Sequence, residues 1–246
     1  MPIRLHITAE GTTEERFVKE VLAPYLGEQG VWADARCVLT SKNNRLNLEY
    51  RGGWRRTSAY LTVKRDICTW MKEDRNPDSR FTTMFDLYAL PRDFPGYAEA
   101  YGETDPYRRV SSLEQALAAD INGALCDTRF VPYIQLHEFE ALILADPKQL
   151  EWEFLEHDKP IERLVNMVVK EGGNPELIDD GENTAPSKRI IAEIAEYSGN
   201  KATSGPLVAG KIGMPTLCNR CRHFALWIEG LVRLGKASGR YGPGIS

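Results

Sequence analysis

Ile3-Arg4-Leu5-His6-Ile7-Thr8-Ala9-Glu10-Gly11-Thr12-Thr13-Glu14 decides how the rest of the chain is read. Ile3, Leu5 and Ile7 alternate with polar residues, the period of a half-buried strand. Phe17, Val18, Val21, Leu22, Tyr25 and Leu26 then recur at helical intervals, so the segment reads as strand, tight turn and helix. Gly11 permits the turn. Thr12 with Glu15 three residues on fits a capping box, and Pro24 is expected to bend or end the helix early. Glu10 therefore stands just past a strand, where the backbone is held and the side chain can face an open rim.

The same grammar repeats outward. Residues 31–39 read as a second strand, and residues 60–71 as a helix with Leu61, Lys64, Ile67, Cys68 and Met71 at helical spacing. Asn76-Pro77-Asp78 breaks the chain. Residues 80–86 form a third strand that ends in Asp86, followed by a loop with Pro91, Pro95 and Gly96. A helix over 113–125 leads to a fourth strand over 130–136, whose Pro132 predicts an edge position or a strand start. His137-Glu138-Phe139-Glu140 follows. Beyond it strand signals fade, and 161–170, 188–197 and 224–234 read as helices, the last with an apolar stripe of Phe224, Trp227, Ile228 and Leu231. Alternating strands and helices predict an α/β fold, a mainly parallel sheet flanked by helices followed by a mostly helical C-terminal region. The expected divisions are 1–145 for the α/β part, 146–235 for helices packed on it, and 236–246 for a loose tail.

Composition narrows the class. The 246 residues are long enough for a full core, with 42% hydrophobic and 27% charged residues. No apolar run approaches the roughly 20 residues that span a bilayer. The amino terminus lacks the pattern of a secretory signal, so a cytoplasmic protein without membrane association is expected. Five cysteines at irregular spacing do not suggest a disulfide framework. Cys218 and Cys221 with His223 resemble half a zinc site, against the plainer reading of buried thiols.

Acids at three predicted strand ends carry the chemistry. Parallel α/β sheets bind ligands at the carboxyl ends of their strands, so Glu10, Asp86 and Glu138 are expected to converge. Convergent carboxylates repel unless a cation or protons compensate them, and magnesium is the leading candidate because it prefers carboxylate and water oxygens. Glu14 and Glu140 are further candidate ligands. Glu14 also suits a helix's first turn on dipole grounds, and Glu140 also suits pairing with a base. Histidines build no competing site, although His137 is placed to orient a water or phosphate. Neither a phosphate-binding glycine loop nor a nucleophile elbow is present in the sequence. The net charge of -4 offers no global attraction for nucleic acid, yet residues 36–65 are locally basic with interleaved aromatics. Arg51, Arg55, Arg56 and Lys64 are candidate phosphate contacts there, as is Lys211 if the helical part folds over the rim. A solvated loop over packed aromatics is the competing reading of that stretch.

With these residues placed, the chain resembles the Toprim fold of topoisomerases, primases and OLD-family nucleases. Glu10 matches the glutamate after that family's first strand, and Asp86 the leading acid of its Asp-x-Asp motif. Here the motif reads Asp86-Leu87-Tyr88, leaving Asp93, Glu138 or Glu140 as the acids available in place of the second aspartate. More closely, the chain resembles a Toprim-related bacterial family, originally of unknown function, that includes the effector nuclease of the PARIS anti-phage system. The resemblance runs to about Leu234 through Ala9–Glu14, Met84–Tyr88, Tyr133–Glu140 and Cys221–Phe224. It implies a magnesium-dependent nuclease acting on RNA or DNA, with Glu10, Asp86 and Glu138 at the reacting centre, and a role in anti-phage defence. It also implies an ATPase partner, while a homo-oligomer is compatible with the apolar last helix. The alternative is a non-catalytic Toprim-like module that binds nucleic acid or an ATPase partner.

Overall fold

The computed structural model describes residues 2–43, 48–52, 60–178 and 184–238. Its centre is a four-stranded parallel sheet in the order β2-β1-β5-β6, with β1 Ile3–Ala9, β2 Val31–Cys37, β5 Ser79–Asp86 and β6 Ile134–Gln135. A short antiparallel pair, β3 Leu39–Asn43 and β4 Leu48–Arg51, stands apart from it. The helices in chain order are α1 Thr12–Phe17, α2 Ala23–Gly27, α3 Tyr60–Glu73, α4 Tyr97–Ala100, α5 Pro106–Leu125, α6 Glu140–Ile143, α7 Asp158–Lys170, α8 Pro186–Glu193, α9 Tyr197–Ile212, α10 Met214–Arg220 and α11 Arg222–Ser238. The predicted parallel sheet with a helical C-terminal region is what forms.

Both faces of the sheet are covered, as parallel sheets require. Ile3, Leu5 and Ile7 of β1 join Met84, the amino-terminal helix and the C-terminal helices in one buried cluster. Phe81 and Phe85 of β5 face the other way, into a cluster with α3 and α5 through Val63, Ile67, Val110, Leu113 and Leu117. The apolar stripe of α11 packs on this chain's own sheet, where Phe224, Trp227, Ile228 and Leu231 are buried and the Trp227 indole N–H donates to Thr82 Oγ1 at 3.1 Å. Under β1, His6 is buried between Asp34 and Asp74, 2.7 Å from each. Burial alone would lower its pKa, but the two carboxylates outweigh that and raise it, and the two hydrogen bonds tie β1 to its surroundings.

Several boundaries depart from the sequence reading for identifiable reasons. The cap of α1 lies one residue earlier than expected: Gly11 is the N-cap and Glu14, not Glu15, reaches back to its N–H. Glu15 instead pairs with Lys19 at 2.7 Å. Pro24 does not end the helix; the chain widens into a π-turn over Val18–Leu22 and continues as α2, because Pro24 has no N–H to offer the carbonyl four residues back. The fourth strand contracts to two residues at the sheet edge. Pro132 lacks a ladder donor, and the Tyr133 N–H turns to the Thr83 hydroxyl at 3.0 Å while the Ile134 N–H donates to Glu114 at 2.8 Å. The loop read over residues 36–65 contains the β3–β4 pair, and α9 was concealed by its glycines and Pro206. That proline is tolerated inside the helix because the carbonyl it leaves unpaired, Ala202 O, accepts from Arg16 at 3.3 Å.

Candidate metal centre

Glu10 follows β1, Asp86 ends β5, and Glu138 follows β6, so neighbouring parallel strands deliver three acids to one rim. The backbone ties the first two together: the Asp86 N–H donates to Glu10 Oε2 at 2.8 Å, and the Glu10 N–H donates to Met84 O at 2.9 Å. Glu14 is buried, its Oε2 accepting the Gly11 N–H at 2.8 Å. Glu138 accepts the Ser187 N–H at the start of α8, which draws the helical region onto the rim.

His137 sets the direction of Glu138. It is a buried non-glycine residue at φ 63°, a left-handed conformation that costs about 1–2 kcal/mol and must be held by its surroundings. Its Nε2 lies 2.8 Å from Glu176 O, which can only accept, so Nε2–H donates. Nδ1 is hydrogen-bonded with the Tyr88 hydroxyl at 2.6 Å. His137 is thus a brace between the loops after β5 and β6, and both ring nitrogens are engaged within the protein rather than on a phosphate.

The electrostatics follow from crowding. Burial raises the Glu10 pKa well above the usual carboxylate range, and the charges of Glu14, Glu138 and Glu140 push the same way, against the Asp86 N–H. Burial, then Glu10, Glu14, Glu138 and Glu140, raise Asp86 in the same manner. Glu14 is raised by burial despite its backbone hydrogen bonds and the charge of Lys201. Glu140 reaches about 7, through burial and Glu138, with Lys201 pulling it down. Five acids therefore feel one another, and one of their buried oxygens, Asp86 Oδ1, has no hydrogen-bond partner among the described residues. A buried acceptor left without a donor is costly, and a proton, a water or a hard cation would each satisfy it. The donor set, carboxylates without thiol or imidazole, suits magnesium or a similar ion. Among the described residues no three His, Cys, Asp or Glu side chains already form a cation cage, so binding would involve small side-chain adjustments.

Other expected contacts lie elsewhere. Asp93 accepts the Tyr60 N–H at 3.0 Å at the start of α3 and is not among the acids whose charges act on Glu10 and Asp86. Arg51 is engaged with Asp66, as is Arg36, and Lys64 lies 2.7 Å from Asp120. Arg55 and Arg56 lie outside the described residues. Lys211 is exposed with its ammonium over the Trp152 ring at 4.5 Å, about 15 Å along α9 from the acids' own lysine. That lysine, missed in the sequence, is Lys201, 3.3 Å from Glu140 Oε1, where the Tyr197 hydroxyl also donates at 3.3 Å. Tyr197 and Lys201 are four residues apart on one helix face, a signal available only once α9 is recognised. Cys218 and Cys221 are free thiols, the latter buried.

A family model described as a domain of unknown function, DUF4276, matches residues 9–232. The chain belongs to the DUF4276 family. The match begins at the residue before Glu10 and ends within α11, so the DUF4276 region takes in every acid of the rim and the helices that cover it. Neither a curated protein nor a solved structure matches the chain. Among the described residues no helix of this DUF4276 member is long and apolar enough to cross a membrane.

Proposed function

We propose that the chain is a Toprim-like, magnesium-dependent phosphodiesterase acting on RNA or DNA. The observation that carries the reading is the buried, unpartnered Asp86 Oδ1 beside Glu10 at the carboxyl ends of adjacent parallel strands. Glu10 and Asp86 are the ligands, Glu138 completes the set, and Glu14 and Glu140 lie behind them. A bound ion there would stabilise charge on the phosphate and lower the pKa of a water. Glu10 is held in place by the Asp86 N–H, and Glu138 by the Ser187 N–H, so the chain positions its acids through backbone donors rather than mobile side chains. Lys201 limits the negative charge at the back of the cluster through Glu140. Service as an anti-phage effector, under control of an ATPase partner, rests on the family resemblance and is part of the same proposal, as is a cytoplasmic location.

A second reading, a non-catalytic module that binds nucleic acid or an ATPase partner, is favoured by Tyr88. It occupies the position of the second aspartate in the Toprim motif, and its hydroxyl is committed to His137. The two readings separate on one experiment. Purified protein is incubated with single-stranded RNA, single-stranded DNA, duplexes and transfer RNA, with magnesium and with chelator. Magnesium-dependent cleavage that Asp86→Ala abolishes in a folded variant supports the enzyme; full activity in that variant refutes the role assigned to Asp86. Binding without cleavage of any substrate supports the module.

A further inference from the structure

The loop that begins with Asp86 continues directly into a cavity that the metal chemistry leaves unused. It has a volume of about 410 Å³ and is lined by Leu87, Tyr88, Tyr97, Tyr101, Arg109 and Leu113, among others. That is within the roughly 300–1,000 Å³ of sites that hold small ligands. Tyr88 is two residues from Asp86, so their Cα atoms are no more than about 7.6 Å apart. The same tyrosine is bonded to His137, the residue before Glu138, so one wall of the cavity is braced against the loops that carry two of the acids.

The lining is unusual in its planar groups. Tyr101 is 79% exposed, the most exposed of the large apolar side chains described, and it lines this cavity. Tyr97 lies beside it in a stacked arrangement, ring centroids 6.4 Å apart and planes 27° from parallel. The Arg109 guanidinium is oriented by Glu103 O, to which Nε donates at 3.0 Å and Nη2 at 2.8 Å. Leu87, Leu90, Ala100 and Leu113 supply an apolar floor. Aromatic faces with an arginine accept flat heterocycles of any base identity, and a base inside a duplex cannot reach such a floor. The larger cavity, about 580 Å³ beside Tyr133, His223 and Trp227, is less suited, because Tyr133 and Trp227 are already face to face with centroids 4.1 Å apart, closer than the 6.4 Å of Tyr97 and Tyr101.

We infer that the tyrosine-lined cavity after Asp86 receives an unpaired nucleobase of the strand whose phosphate meets the acid rim, which makes single-stranded or looped nucleic acid the substrate class. The inference rests on the phosphodiesterase reading for the phosphate's position, but its test does not depend on cleavage. Asp86→Asn protein in chelator is titrated into a labelled single strand of about eight nucleotides, followed by fluorescence anisotropy. Added to that background, Tyr101→Ala is expected to weaken binding on the order of tenfold, Tyr101→Trp to restore it, and the same sequence in a duplex to bind as weakly as the alanine variant. Tyr101 is exposed enough that its replacement leaves folding intact, and Tyr97→Leu provides a second variant with the same expected loss. Binding changed less than twofold by both variants, or a duplex bound as tightly as the single strand, overturns the inference. If both variants lose binding while the native chain cuts nothing, the base site stands and the phosphodiesterase reading falls. If magnesium-dependent cleavage is intact and both variants bind normally, the base site alone falls.

Discussion

Two kinds of buried carboxylate, Glu176 and the acids of the rim, behave in opposite ways. Glu176 is fully buried, and its oxygens are met by donors: the Phe224 N–H at 3.0 Å on one, the His223 N–H at 2.9 Å and the Tyr107 hydroxyl at 3.1 Å on the other. It caps α11, and nothing about it asks for a ligand. Asp86 has an oxygen with no donor, and its nearest electrostatic neighbours are other acids. Burial is common to both; what differs is whether the protein supplies the compensating charge or leaves it to something that binds. An acid satisfied by donors holds a fold together, whereas acids that face one another are held by the fold at some cost to stability and mark where chemistry can occur.

The widest separation between the two sets is expected in activity. Asp86→Ala or Glu10→Ala should reduce magnesium-dependent cleavage by at least about 100-fold, read from initial rates on a labelled single strand. Glu176→Gln, which keeps the shape of the cap, should leave the rate within a few-fold; a collapse of the rate in that variant alone would reverse the assignment of the two sets.

Stability should show the reverse order. Glu176→Ala removes the acceptor for three donors and should cost about 3 kcal/mol, lowering the thermal midpoint by roughly 6–12 °C. In chelator, Asp86→Asn should do the opposite and raise the midpoint by a few degrees, because it removes a charge that burial and four neighbouring acids oppose. A drop for Asp86→Asn comparable to that of Glu176→Ala would mean that Asp86 is structural after all.

A further contrast is in pH dependence. Folding raises the pKa of Glu140 from the ordinary 4.5 to about 7, so the folded chain binds more protons than the unfolded chain across that interval. Stability then falls as pH rises from about 4.5 and levels off above about 7. Without metal, denaturant midpoints measured between pH 5 and 8 should decline in this window, and magnesium should reduce the decline. Glu140→Gln should flatten the curve; an unchanged slope would show that Glu140 is not part of the crowded set.

The core was legible where periodicity was strong. Ile3, Leu5 and Ile7 announce β1, and Phe224, Trp227, Ile228 and Leu231 announce α11, because alternation and helical spacing reflect a single buried face. Glu10, Asp86 and Glu138 were legible as strand-end acids for the same reason: each follows a recognisable apolar run. The antiparallel pair β3 and β4 carried no such signal, and α9 was hidden by Gly199, Gly205, Gly210 and Pro206. Those small residues have a tertiary purpose: a Cβ at Gly205 would lie 3.1 Å from Phe139 Cε1 and 3.3 Å from the Tyr197 hydroxyl, so glycine lets α9 approach the rim. Intrinsic propensity is outweighed there by close packing.

By itself the sequence determined the principal strands and helices of the core and which acids stand at strand ends, since these follow from local spacing. Only the tertiary structure decided that Glu14 rather than Glu15 closes the first turn, that Asp93 meets the start of α3, that Lys201 and not Lys211 meets the acids, and that Asp86 keeps an oxygen without a donor. These depend on which groups from distant segments come within hydrogen-bond reach, and a carboxylate's role is set by those neighbours rather than by its place in the chain.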